Sequence, residues 1–143
     1  MNQNIKYKNT ANQILAFIQE HDNYLISAHI HADGDAYASM VAVHLLLKTM
    51  GKKTAMVLSD KQNDQRFDFL KDFNTILPYS DQIDLSNLLD RGKIESAVVL
   101  DVPSYFRLGD VHKLLPELAN ILKIDHHPVE DVMGEMDWVD VKA

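Results

Sequence analysis

The chain has 143 residues, 46 % apolar and 24 % charged, with a formal net charge of −7 and no cysteine. That length suits one domain with a sizeable core. The charge opposes a generic basic nucleic-acid groove, and the lack of cysteine leaves histidine and carboxylate as the groups able to hold a metal.

The opening MNQNIKYKNT is polar and lacks the apolar core of a secretory signal, so a cytoplasmic location is expected. Thr10 is expected to cap a helix whose apolar positions are Ile14, Leu15, Phe17 and Ile18. The run Tyr24–Ile30 reads as a buried strand with its polar residues at the C-terminal end. From Asp35 to Met50 the spacing of Ala36, Met40, Val43, Leu46 and Leu47 predicts a helix, stopped by Gly51. Lys53–Ser59 is a second strand. Short helices are expected around Arg66–Phe69 and Leu85–Arg91, with a turn near Pro78. Glu95–Asp101 is a strand by its adjacent valines and leucine. Leu108–Leu118 reads as helix limited by Pro116, Asn120–Asp125 as a short strand, and Met136–Val141 as a last one.

These strands are apolar runs that alternate with helices. The pattern implies an α/β fold, a doubly wound, mostly parallel sheet with helices on both faces. Ligands in such sheets bind beyond the carboxyl ends of the strands. Three strands end there in acidic or imidazole groups: His29 to Asp35, then Asp101, then Asp125-His126-His127. Each cluster alone has a plain structural reading. Asp35 or Asp101 could cap a helix, and His126-His127 could be a surface pair. His21, His44 and His112 belong with the structural histidines.

Together the three strand ends form an oxygen and nitrogen donor set suited to Mn²⁺, Mg²⁺ or Zn²⁺. With several carboxylates, two ions sharing one carboxylate and a water are compatible with the set, and the reaction class is metal-assisted hydrolysis of a phosphoester or phosphoanhydride. No P-loop, GxSxG elbow or GxGxxG follows a strand.

The run His29-x-x-x-Asp33-x-Asp35-Ala36, the strand-terminal Asp101, and Asp125-His126-His127-Pro128 resemble, in order and spacing, the first three motifs of the DHH phosphoesterase family. The nearest branch is that of small oligoribonucleases and 3′-phosphoadenosine-5′-phosphate phosphatases. The resemblance implies His29 and Asp33 as ligands of one metal, Asp35 and His126 of a second, and Asp101 bridging both. His127 would face the substrate phosphate as hydrogen-bond donor or general acid, with Asp125 orienting a neighbouring imidazole. His31 would lie near the substrate, and Arg107 would contact phosphate or pin the loop after Asp101. The implied cofactors are two divalent ions, Mn²⁺ before Mg²⁺ or another, with a hydroxide shared between them as nucleophile. The implied partner is a phosphorylated small molecule or short single-stranded oligonucleotide, with no duplex and no membrane; a homodimer stays open.

Ala32 stands where the family commonly has proline, and Ala38-Ser39 where it often has Gly-Ser. The family's fourth motif and its substrate-binding domain are expected beyond Ala143. Residues 1–143 are thus expected to form the N-terminal portion of a DHH catalytic domain. Inorganic pyrophosphatase or exopolyphosphatase activity shares the same three motifs, and a non-catalytic metal- or nucleotide-binding module is a further alternative.

Overall fold

The computed structural model describes residues 3–143, with side chains from Ile5 onward. Six strands form one sheet: β1 (Tyr24–Ala28), β2 (Thr54–Leu58), β3 (Leu77–Pro78), β4 (Ser96–Leu100), β5 (Asn120–Asp125) and β6 (Met136–Val139). Every pairing is parallel, in the order β3-β2-β1-β4-β5-β6. The chain works outward from β1 to β3, then returns to place β4 on the other side of β1. That reversal opens a crevice at the carboxyl ends of β1 and β4, where α/β sheets take their ligands.

β1 and β4 are buried along their whole length, which is why both are apolar on both sides rather than alternating. Helix α1 (Gln3–Glu20) and helix α2 (Gly34–Thr49) cover one face. There Phe17, Ile18, Tyr37, Met40 and Leu47 pack on Ile26, Met56, Val98 and Leu122. The other face buries Leu25, Val57, Val99 and Ile121 beneath Leu85, Ile94, Leu108, Val111, Leu114 and Leu115. No helix among the described residues is long and apolar enough to cross a membrane.

Several local expectations need correction. Helix α1 already runs from Gln3, so Thr10 lies within it; its hydroxyl donates to Lys6 O at 3.1 Å and caps nothing. The N-cap of α2 is Asp33 rather than Asp35, because Asp33 is extended and its Oδ1 accepts from Ala36 N–H. At the other end Met50 is the C-cap, and Gly51 follows at φ +76° in the left-handed region.

Residues 85–91 form no helix despite leucines at 85, 88 and 89. Asp84 accepts from the backbone and hydroxyl of Ser86, and Asn87 Oδ1 accepts from Asp84 N–H, so side chains take the backbone partners that a helix would need. Around 66–69 only a 3₁₀ turn forms, Gln65–Phe67, followed by another at Phe73–Thr75. Leu108–Leu118 is likewise not α-helix: a four-residue helix α3 (Tyr105–Leu108) runs into a 3₁₀ stretch, Gly109–Glu117, with Pro116 inside it.

Candidate metal centre

β1 is fully buried, with Ser27 satisfied by the Val57 carbonyl of β2, so acidic and imidazole groups begin only where the strand ends. His29 Nδ1 lies 2.8 Å from the Ile30 carbonyl. A carbonyl only accepts, so the ring's proton sits on Nδ1 and Nε2 faces inward. Nε2 lies 3.4 Å from Asp101 Oδ2 and 3.6 Å from Asp33 Oδ1. Donation from His29 to the Asp101 carboxylate lifts the His29 pKa to about 9 against the opposing effect of burial, with the Ile30 carbonyl adding to the rise. Without a cation, this imidazole therefore carries its own second proton at neutral pH.

Asp101 lies one residue past β4 in the left-handed region, φ +55°, with its N–H donating to Ile124 O at 3.0 Å. That conformation is uncommon for a residue with a Cβ. Here it turns a nearly buried carboxylate into the crevice. Its two oxygens divide: Oδ2 faces His29, while Oδ1 lies 3.1 Å from His126 Nε2. The same His126 nitrogen lies 3.6 Å from Asp35 Oδ2. Burial pushes the Asp101 carboxyl up, but His29 and His126 outweigh it and hold the group below the usual carboxylate range.

Two donor loci result. One comprises His29 Nε2, Asp33 Oδ1 and Asp101 Oδ2, and the other His126 Nε2, Asp35 Oδ2 and Asp101 Oδ1. Asp125, the last residue of β5, serves differently. Its Oδ1 accepts from His126 N–H at 2.8 Å and from His127 Nδ1 at 2.7 Å, while Oδ2 is buried with no hydrogen-bond partner among the described residues. His127 is thereby fixed with its proton on Nδ1 and Nε2 left free.

A cavity of about 420 Å³ collects His29, Asp33, Asp35, Asp101, His126 and His127 with Pro103, Arg107, Pro128 and Glu130. A second, of about 440 Å³, shares Asp35, Asp101 and His126 and extends to Trp138 and Asp140. The structure thus brings together every residue of the three motifs. Arg107 joins them: its guanidinium has no ion pair among the described residues, and its carbonyl accepts from Ile30 N–H at 2.7 Å. His31 does not. It is 89 % exposed at its side chain and lines a separate cavity with Asp60 and Arg66.

The donors fit a divalent cation of hard or borderline character. Asp33, Asp35 and Asp101 converge with only imidazoles as charged partners, and no lysine or arginine among the described residues pairs with them. His29, Asp33 and Asp101 offer donor atoms within 4.8 Å of one another, as do Asp101, Asp125, His126 and His127, while Asp35 approaches that second group through His126. The other histidines are occupied elsewhere: His44 by Thr54 and Asp72, His112 by Gly109 O, and His21 by an edge contact with Phe17.

Sequence reasoning passed over two residues. Asp60, just beyond β2, accepts from His31 N–H and Ala32 N–H. Its signal was available, since it is a fourth acidic group at a strand's carboxyl end. Lys123, fully buried, donates to Pro103 O and Asp131 O and so ties the loop after β4 to the loop after β5. In sequence it is one lysine inside an apolar strand, and only the packing gives it a role.

No family model matches the sequence. The chain is 27 % identical over 132 residues to the bifunctional oligoribonuclease and PAP phosphatase NrnA of Bacillus subtilis, covering 92 % of this chain and 37 % of that protein. The protein named as its Streptococcus mutans counterpart is 29 % identical over 131 residues, covering 91 % and 37 %. The chain is similar to DHH-family phosphoesterases. In fold it also matches the crystal structure of an exopolyphosphatase-related protein from Bacteroides fragilis, with a TM-score of 0.77 at 16 % identity over 92 % of this chain and 38 % of that one. The chain spans little more than a third of the length of these DHH relatives.

Proposed function

We propose that this chain carries the metal-binding part of a phosphoesterase that hydrolyses short oligonucleotides or a 3′-phosphorylated nucleotide. The observation that carries the reading is the division of Asp101, one carboxylate oxygen toward each donor locus. His29, Asp33 and Asp101 would hold one divalent ion, and Asp35, His126 and Asp101 a second, with Mn²⁺ well suited to the mixed donors. Ions bound there would acidify a water and offset the negative charge of a phosphoryl group.

The chain's own residues do the remainder. His127, held at Nδ1 by Asp125, turns Nε2 toward the substrate side; with the ring doubly protonated, Nε2–H would donate to a phosphate oxygen and pass that proton to the leaving oxygen. Arg107, unpaired on the same wall, can grip a phosphate through its planar fork. His31, outside the inner cavity, would meet a more distant part of a longer substrate. The substrate class is supported by the names of the two bacterial relatives. On this reading residues 1–143 would correspond to the N-terminal portion of such a catalytic domain; the chain spans 37 % of the two relatives.

The test is Mn²⁺ calorimetry on this chain, with hydrolysis of a dinucleotide, 3′-phosphoadenosine 5′-phosphate and pyrophosphate measured on the intact protein. Two Mn²⁺ sites lost together in Asp101→Ala, with turnover of a nucleotide substrate, are expected. Mn²⁺ binding unchanged in Asp33→Ala, Asp35→Ala and Asp101→Ala would overturn the reading. Turnover of pyrophosphate alone would replace it with the pyrophosphatase reading, and one weak site without turnover with a binding module.

A further inference from the structure

The loop that carries His29 and Asp33 is held from both sides. On the β4 side, Ile30 N–H donates to Arg107 O at 2.7 Å. On the β2 side, both oxygens of Asp60 are used: Oδ1 accepts from His31 N–H at 2.8 Å, and Oδ2 from Ala32 N–H at 2.9 Å. Between them His31 adopts φ +57°, a conformation that a residue with a Cβ keeps only when its surroundings hold it there. Asp60 itself is only 15 % exposed at its side chain.

The His31 N–H and the Ile30 carbonyl belong to one peptide group, which is trans, since the described residues contain no cis bond. In a trans amide the N–H and C=O point in opposite directions. Asp60 takes the N–H end, and His29 Nδ1 donates to the C=O end at 2.8 Å. A carboxylate, an amide and an imidazole are therefore hydrogen-bonded in series, ending at the nitrogen that faces Asp33 and Asp101.

We propose that Asp60 is a positioning residue for the metal centre, acting on His29 through the Ile30–His31 peptide group. Metal-bound histidines are commonly oriented by a carboxylate or a carbonyl on the other ring nitrogen. Here the carbonyl makes the contact and the carboxylate stands behind it. Hydrogen bonds in series polarise one another, so the anion strengthens the carbonyl as an acceptor and fixes both the tautomer and the ring plane. The second bond, to Ala32 N–H, sets the direction in which the chain enters Asp33, the other ligand on this loop. The inference rests on His29 serving as a metal ligand, as proposed above.

The test is Mn²⁺ calorimetry on the 143-residue chain, with circular dichroism melts to separate affinity from stability. Asp60→Asn cannot accept both N–H groups and loses the charge, so it is expected to raise the Mn²⁺ dissociation constant about 10–100-fold at temperatures where the protein is fully folded. Adding His31→Gly to Asp60→Ala should recover part of the loss seen in Asp60→Ala alone, because glycine adopts φ +57° without a carboxylate to hold it. If Asp60→Asn fails to fold, the Asp60→Ala, His31→Gly double variant takes its place and should still bind Mn²⁺ more weakly than the parent. His29→Ala is the reference. If it weakens Mn²⁺ binding while the folded Asp60 variant binds like the parent, the relay is overturned, whatever the melting temperature does. If neither substitution changes Mn²⁺ binding, the metal-centre reading itself falls.

Discussion

The two ends of the sheet carry the same residue types and treat them in opposite ways. At the amino end, His44 is closed off by Thr54 Oγ1 at 2.6 Å and Asp72 Oδ2 at 3.1 Å, and Lys48 pairs with the same aspartate. Lys52 donates to the carbonyls of Gln19, in the last turn of α1, and His21, just after it, and Asp22 accepts from Asn23 N–H and Lys53 N–H. Each of these groups ends on a complementary partner, which is how buried or half-buried polar groups are made stable. At the carboxyl end, three carboxylates and two imidazoles face one another at 3.1–3.6 Å with no lysine or arginine between them, and Asp125 Oδ2 has no partner among the described residues. Histidine and aspartate content is therefore uninformative in itself. A buried atom without a partner does not mark the functional end, since Ser96 Oγ at the amino end of β4 lacks one too. What marks it is three carboxylates gathered around two imidazoles with no basic side chain among the described residues to neutralise them, the condition that a bound cation relieves.

The sharpest way to break this contrast is to remove the shared carboxylate. Asp101→Ala should eliminate measurable Mn²⁺ binding at both loci in calorimetry, and with it metal-dependent hydrolysis in the intact protein. One surviving site of full affinity would show that the loci do not share this residue.

Acid should act on the carboxyl end through His29. Its folded pKa, about 9, lies above the ordinary 6.5, so the protonated ring stabilises the metal-free fold in full below about 6.5 and ceases to do so as pH rises through about 9. Metal must displace that proton, so Mn²⁺ affinity should climb by about tenfold per pH unit across this window and level off above it. Calorimetry in buffers of different ionisation enthalpy would count the protons released, and His29→Ala should flatten the slope.

The amino end should respond in stability alone. His44→Ala removes a buried ring and leaves Thr54 Oγ1 without this partner, while Asp72 keeps Lys48, a loss of about 1–3 kcal/mol in chemical denaturation. Mn²⁺ affinity should stay at the parent value. A large change in affinity would mean that the two ends are coupled.

The smallest effect separates the two aspartates of the first motif. Asp33 caps α2 as well as facing His29, whereas Asp35 faces His126 and accepts from the exposed Ser39 hydroxyl but caps no backbone group. Asp33→Ala should therefore cost about 1 kcal/mol of stability, a few degrees of melting temperature, and Asp35→Ala nothing comparable, although each weakens Mn²⁺ binding. Equal melting curves would remove the cap from the account of Asp33.

Much of this was legible before any coordinates. The apolar runs of β1, β2, β4 and β5 place four strands within a residue or two of their observed ends, because strands buried on both faces must be apolar throughout. The motif residues could be grouped because a parallel sheet delivers its strand ends to one edge. Elsewhere the local pattern misled. The leucines at 85, 88 and 89 have helical spacing, yet Asp84, Ser86 and Asn87 bind the backbone themselves, and the leucines pack on the sheet from an irregular loop. β3 is two residues ending in a proline, tolerated at an edge because only one side needs partners.

The sequence by itself determined the alternation of elements, the donor chemistry and the absence of any thiol, since these depend on residue types and short-range periodicity. Tertiary structure alone decided which oxygen of Asp101 faces which imidazole, that His31 turns away from the inner cavity while Arg107 lines it, and that Asp60 reaches the loop of His29 from a neighbouring strand. Those outcomes depend on strand order and on left-handed turns at His31 and Asp101 that residue type disfavours. Contacts formed across the sheet hold both turns in place: Asp60 accepts from His31 N–H, and Asp101 N–H donates to Ile124 O.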